Sequence, residues 1–144
     1  MIVSRRVGAT ADQRKVFDYL SDFTTTTEWD PATVETVLVS GDGGVGTVYR
    51  NRSRFLGRTT ELEYVVTELE VPRVVTLRGE NSALVATDTI TVEPAGSGPG
   101  SDATYRAEFT FKGPWRLVGP FLRPALRRLG DQAEAGLRTT LNGL

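Results

Sequence analysis

Residues 16–31 read VFDYLSDFTTTTEWDP, a short amphipathic run that gives way to four threonines and stops on Trp-Asp-Pro. Val16, Phe17 and Leu20 share one face at helical spacing, and Thr10 or Asp12 stands ahead of them where an N-cap belongs. Ser21 or Asp22 can cap a second, shorter helix through Phe23. The threonines at 24–27 weaken helicity, because a branched side chain loses rotamer freedom against the preceding turn. Pro31 removes a backbone donor and pushes Asp30 toward extended geometry, so the chain leaves helix and enters a sheet beyond Trp29. The stretch therefore predicts two short helices that plug one edge of a sheet, with Phe17, Phe23 and Trp29 as apolar anchors.

Outward from it the chain reads as strands. Ile2 to Ala9 precedes the helices, and segments at about 33–40, 46–56, 58–70, 73–80, 83–93 and 103–112 follow them. Short turns between them make an antiparallel meander. GDGGVG (41–46) and PAGSGPGSD (94–102) are two of those turns; the first lacks the Gly-Lys-Ser/Thr and the following helix that a phosphate-cradling loop needs. Side chains alternate across a strand, so in YRNRSRF (49–55) the arginines take one face while Tyr49, Asn51, Ser53 and Phe55 take the other. In TELEYVV (60–66) Glu61 and Glu63 can stand across from those arginines, opposite in face to Leu62, Tyr64 and Val66. TYRAEFTF (104–111) repeats the alternation, with Tyr105, Ala107, Phe109 and Phe111 inward.

A sheet with one dry face needs a cover, and the C-terminal end supplies it. Residues 119–141 predict a long helix whose stripe is Leu122, Leu126, Leu129, Ala133, Leu137 and Leu141. Arg127 with Asp131 and Glu134 with Arg138 are expected i,i+4 pairs on its wet side. Pro120 and Pro124 fit only in or near the first turn, which predicts an irregular start. Gly130 and Gly136 on this helix leave room for a ligand or permit close approach of the sheet.

The composition excludes much chemistry. With 144 residues the chain is read as a single domain over 1–144, large enough to bury roughly 68–70% of the surface its unfolded form exposes. It has no cysteine and no histidine, so thiolate nucleophiles, disulfides, imidazole proton shuttles and thiolate or imidazole metal ligands are absent. No cofactor and no metal is expected. The formal net charge of −1, from 17 basic and 18 acidic residues, gives no bulk field for nucleic acid or an anionic membrane, and any such partner needs a local patch. No segment approaches the ~20 apolar residues of a membrane span, so the expectation is a soluble, cytoplasmic protein. Arginine outnumbers lysine fifteen to two.

The order of strand, helix pair ending in Trp-Asp-Pro, six-stranded meander and long amphipathic helix resembles the START/Bet v 1-like (SRPBCC) superfamily, within it the polyketide cyclase/dehydrase-like branch. VFDYLSDFTTTTEWDP (16–31), VGTVYRNR (45–52), TDTITVEP (87–94) and ALRRLGDQAEAGL (125–137) carry the likeness, which spans nearly the whole chain. It implies an α+β helix-grip fold, a seven-stranded curved antiparallel sheet wrapped around the C-terminal helix with a ligand cavity between them. Members bind lipids, sterols, polyketides, plant hormones or quinones, and a minority catalyse ring closure or dehydration, with no common catalytic set to carry over.

Inward polar groups on a dry face are the informative ones, since each costs ~1–3 kcal/mol if buried without a partner. Tyr49, Asn51, Ser53, Tyr64 and Tyr105 are such groups; they either orient a ligand or satisfy neighbouring backbone. Phe109, Leu122 and Leu129 supply apolar lining. Asp88 shares parity with Ile90 and Val92; pointed into a cavity it is an acid or base, and the alternative is a turn to solvent or a pairing with an arginine such as Arg78. In GPWRLVGPFLRPALRRL (113–129) Trp115 and Phe121 can form a lip over the cavity, or the segment can dock transiently on an anionic membrane; Arg116 is placed to meet ligand anions. Three functions follow: carriage of a hydrophobic small molecule, a cyclase or dehydratase using Asp88 or a tyrosine, or an adaptor to a membrane or partner through Trp115. Nucleic acid is not an expected partner.

Overall fold

In a computed structural model, which describes residues Met1–Leu144, all seven strands form one antiparallel sheet. They are β1 (Ile2–Ala9), β2 (Thr33–Ser40), β3 (Val48–Phe55), β4 (Arg58–Glu70), β5 (Val74–Glu80), β6 (Leu84–Pro94) and β7 (Ser101–Phe111). The spatial order is β1-β7-β6-β5-β4-β3-β2, so six consecutive strands make a meander and the first strand joins its far side. β7 begins two residues before the expected boundary because Ser101 pairs with Ala9 and its hydroxyl donates to the Ala11 carbonyl. β3 begins two residues late: the Gly46 N–H is spent on the Val66 carbonyl and that of Thr47 on Gly44.

Between β1 and β2 lie α1 (Gln13–Ser21), a 3₁₀ turn (Phe23–Thr25) and α2 (Thr26–Trp29). Asp12 caps α1 by accepting from the Lys15 N–H at 2.9 Å, and Asp22 caps the 3₁₀ turn through the Thr24 N–H. The threonine run does not end the second helix: Thr24 and Thr25 lie in the 3₁₀ turn, Thr26 and Thr27 in α2, and the chain leaves helix at Trp29, ahead of Pro31. The pair does not plug one edge of the sheet together: α1 lies on β6 and β7, next to the β1 edge, while α2 packs on the opposite edge strand, β2, and bridges it to the C-terminal helix.

The C-terminal segment is split by its prolines. α3 (Trp115–Val118) leads into a 3₁₀ turn (Gly119–Leu122), and the long helix α4 runs only from Arg123 to Leu141, with Pro124 in its first turn where no N–H is needed. Leu126, Ala133, Leu137 and Leu141 are buried, while Leu122 and Leu129 are half-buried. Neither expected i,i+4 pair on α4 forms. Asp131 is taken by Arg5 at 2.9 Å, and the same guanidinium donates to the Arg127 carbonyl, so the strand outcompetes the helix neighbour. Glu134 and Arg138 make no ion pair with each other. Across β3 and β4, Arg50 reaches diagonally to Glu61 at 3.5 Å, and Arg52 turns to Glu35 on β2 at 3.6 Å. At these exposed positions the pairs fix register and add little stability.

The two glycines of α4 serve close approach. A Cβ on Gly136 would stand 1.8 Å from the Trp29 carbonyl oxygen, and one on Gly130 would stand 2.4 Å from Val3 Cγ1. The first contact is to α2 rather than the sheet. Behind them Val16, Phe17, Leu20, Trp29, Leu77, Ile90 and Leu137 form the core. Each such side chain contributes ~1.5–3 kcal/mol by leaving water.

Candidate functional site

A cavity of about 140 Å³ lies between the inner face of the sheet and α4. The sheet contributes Leu62, Tyr64, Leu84, Asp88, Tyr105 and Phe109; α4 contributes Leu126, Leu129 and Ala133; the helix pair contributes Phe23, Thr26 and Trp29. Most of this wall is hydrocarbon, so its few polar atoms decide what the space can hold.

Asp88 is the sharpest of them. It points inward from β6 and is 3% exposed. Its Oδ2 accepts from the Tyr105 hydroxyl at 3.1 Å, and its Oδ1 has no protein partner. Tyr105 is held in turn by an edge contact with the Trp29 ring, centroids 5.4 Å apart at 72°. Tyr64 enters the same cavity from β4, where the residue opposite it on β5 is Gly79. A Cβ there would sit 2.7 Å from the tyrosine ring. Burial raises Asp88 to about 7; the Tyr105 hydrogen bond opposes the shift and the charge of Asp30 adds to it. Burial, then the Asp88 charge, pushes both tyrosines well above their ordinary value, so they remain protonated donors. Near neutrality Asp88 divides between acid and carboxylate, the condition under which one group can both give and take a proton.

Asp30 is a second carboxylate in the wall. Its Oδ1 accepts from the Ala32 N–H at 3.0 Å and its Oδ2 from the Thr33 hydroxyl at 3.1 Å. Burial raises it, and those two hydrogen bonds hold it down. A third polar feature is a chain of hydrogen bonds. Thr26 spends its only proton on the Phe23 carbonyl, so the Thr36 hydroxyl must donate to Thr26, at 2.6 Å. Asn51 Nδ2 donates to Thr36 at 2.8 Å, and Ser53 donates to Asn51 Oδ1 at 2.7 Å. Every proton runs one way, toward the helix pair, which leaves Ser53 Oγ with lone pairs at the cavity wall.

The sequence matches the family described as polyketide cyclase / dehydrase and lipid transport over residues 2–142. The chain belongs to this family. No curated protein sequence matches it. Its fold is similar to the Zhui aromatase/cyclase from Streptomyces sp. R1128 (TM-score 0.82, 12% identity, 98% of this chain and 93% of that one). It is similar also to a START superfamily protein from Mycobacterium smegmatis (TM-score 0.80, 13% identity, 97% and 96%). A third likeness is to the major latex-like protein 151 from Panax ginseng (TM-score 0.70, 12% identity, 98% and 97%). The TM-scores establish a shared helix-grip fold, and identities this low carry nothing of substrate.

In this member of the polyketide cyclase / dehydrase and lipid transport family, Asn51, Tyr64, Asp88, Tyr105, Phe109 and Leu129 line the cavity. Tyr49, Trp115, Phe121 and Leu122 do not line it. Tyr49 is inward but sits behind Phe23, its ring 5.8 Å from that ring, and belongs to the core. Trp115 and Phe121 point to solvent, 47% and 82% exposed. Asp88 does not pair with Arg78, which is engaged by Glu80. Asp30, Thr26 and Thr33 were not anticipated. The Asp-Pro-Ala-Thr order carries a signal for Asp30, since an aspartate that accepts from the backbone two residues on forms an Asx turn.

Proposed function

We propose that the chain binds and carries a hydrophobic small molecule of lipid, polyketide or quinone type, with its polar end at Asp88 and Tyr105 and its apolar part against Leu62, Phe109, Leu126 and Leu129. One observation supports this most: in a wall that is otherwise hydrocarbon, Asp88 Oδ1 is buried and without a partner. A polar atom left so costs ~1–3 kcal/mol, and a guest with a hydroxyl or carbonyl removes that cost. The space of about 140 Å³ matches one aromatic ring, since a dry cavity of ~150 Å³ takes benzene. A longer guest must displace part of this wall. Native mass spectrometry of protein purified from its own host should show a retained apolar compound. Its release by Asp88→Asn together with Tyr105→Phe would place its polar end; persistent emptiness would argue against carriage.

A second reading has its own support. Asp88 near 7, within hydrogen-bond reach of a tyrosine that cannot ionise, is equipped to move protons on a polyketide-type substrate folded in the same space. Under this reading Asp88→Asn abolishes turnover and spares binding. Unchanged turnover removes Asp88 from the mechanism.

A further inference from the structure

Antiparallel pairing brings the β3–β4 turn, the β5–β6 turn and the end of β7 to one end of the sheet, as the pairs Phe55 with Arg58, Glu80 with Val85 and Leu84 with Phe111 show. Phe55, Leu84 and Phe111 are cavity wall, and Gly119 lies on the Phe111 ring. The hairpin tip and the segment from Trp115 to Leu122 therefore border the same end of the cavity. Both carry apolar side chains into water. Leu117 is 79% exposed and Phe121 82%, with Trp115 and Val118 beside them. On the tip Leu56, 65% exposed, holds a left-handed backbone with φ of 52°, where a leucine is strained and Asn or Gly is at ease.

Charge is sorted in the same direction. Of the fifteen arginines, eight sit in ion pairs with carboxylates. Six of the others, Arg54, Arg58, Arg116, Arg123, Arg127 and Arg128, lie on the hairpin, on α3 or on the first two turns of α4; the seventh, Arg138, is near the end of α4. Between Gly113 and Gly130 there are four arginines and no acid. We propose that this end of the molecule docks on an anionic phospholipid surface, with Leu56, Leu117 and Phe121 entering the interface and the unpaired arginines meeting phosphate headgroups. Nucleic acid would use the arginines and leave the apolar set in water. A second copy of the chain would set arginine against arginine. The docking is independent of what fills the cavity, and it would present the cavity's end to a membrane.

The test is flotation of the full chain with vesicles of phosphatidylcholine alone and with phosphatidylglycerol added. Binding is expected only to the anionic vesicles and is expected to weaken with salt. Trp29 is buried, so a blue shift of tryptophan emission on binding reports Trp115. Arg123→Gln and Arg127→Gln should each lower partition roughly fivefold, at the worth of one basic residue near such a surface. Leu117→Ser with Phe121→Ser should abolish the blue shift, and Leu56→Asn should weaken binding without loss of fold by circular dichroism. No flotation with anionic vesicles, equal flotation with neutral ones, or a dimer in sedimentation velocity that Phe121→Ser dissolves would each overturn the proposal.

Discussion

From Gly130 onward α4 is pressed against the rest of the chain. The helix backbone at Gly136 lies on the Trp29 carbonyl, Gly130 lies on Val3, and Ala133, Leu137 and Leu141 are sealed. The eight residues before α4, Trp115–Leu122, hold only one buried residue, Gly119, and show most of their apolar side chains to solvent. One C-terminal segment thus contains a part that closes the core and a part that leaves surface unspent. Packing in the first tolerates no added atom, because interiors are near crystal density, whereas the second meets water that simply moves aside.

The same substitution on each side tests that contrast most severely. Gly136→Ala forces a methyl into a backbone oxygen, which no rotamer change relieves, and the loss should exceed the ~1–3 kcal/mol of ordinary overpacking. Gly119→Ala meets only the Phe111 ring, at 3.0 Å, and a small ring shift should keep its cost below ~1 kcal/mol. Urea denaturation of the two variants measures both. Similar losses would mean that the segment before α4 is as tightly held as the helix.

Next in size is the penalty for burying Asp88. Its carboxyl rises from an ordinary 3.8 to about 7, so between those values the folded chain holds a proton that the unfolded chain has released. The unfolded state then binds fewer protons, and stability falls as pH rises from about 4 to about 7, flattening above. At 1.36 kcal/mol per unit the fall is at most roughly 4 kcal/mol. Asp88→Asn cannot ionise, so the difference between variant and parent should grow in the variant's favour across that window. Thermal melts at several pH values measure it; a constant difference would mean that water or movement solvates Asp88.

Smaller again is the tie between α2 and the sheet. Thr36→Val keeps shape and removes the hydroxyl that accepts from Asn51 and donates to Thr26. Asn51 then loses its buried acceptor, at a cost of ~1–3 kcal/mol by equilibrium denaturation. A neutral result would show that water replaces the hydroxyl.

Sequence periodicity located all seven strands and the long helix because those signals are local: alternation in TYRAEFTF and the leucine spacing of α4 each act within one element. Parity told which side chains point inward but carried no depth. Tyr49 and Tyr64 are direct cross-strand partners of the same parity, yet only Tyr64 reaches the cavity, because Gly79 on the next strand gives its ring a floor. The helical ion pairs failed for a related reason. Arg5 is 126 residues from Asp131 in sequence, and no helical spacing rule can see a competitor at that distance. Asp30 was legible as the residue before a proline and illegible as a cavity wall, since its place depends on where α2 ends against β2.

The finest test lies at the hairpin tip, where the surface side of the comparison predicts a gain. Leu56 with φ of 52° carries the Cβ strain of a left-handed residue and buries little in return. Asn adopts that conformation readily, because its side chain hydrogen-bonds locally, so Leu56→Asn should raise stability by up to ~1 kcal/mol in thermal denaturation. A loss instead would mean that Leu56 packs on the tip in solution. Stability that rises while vesicle binding falls would show an apolar side chain kept in a strained turn against the interest of folding, which is how a surface under selection for contact differs from one that merely tolerates exposure.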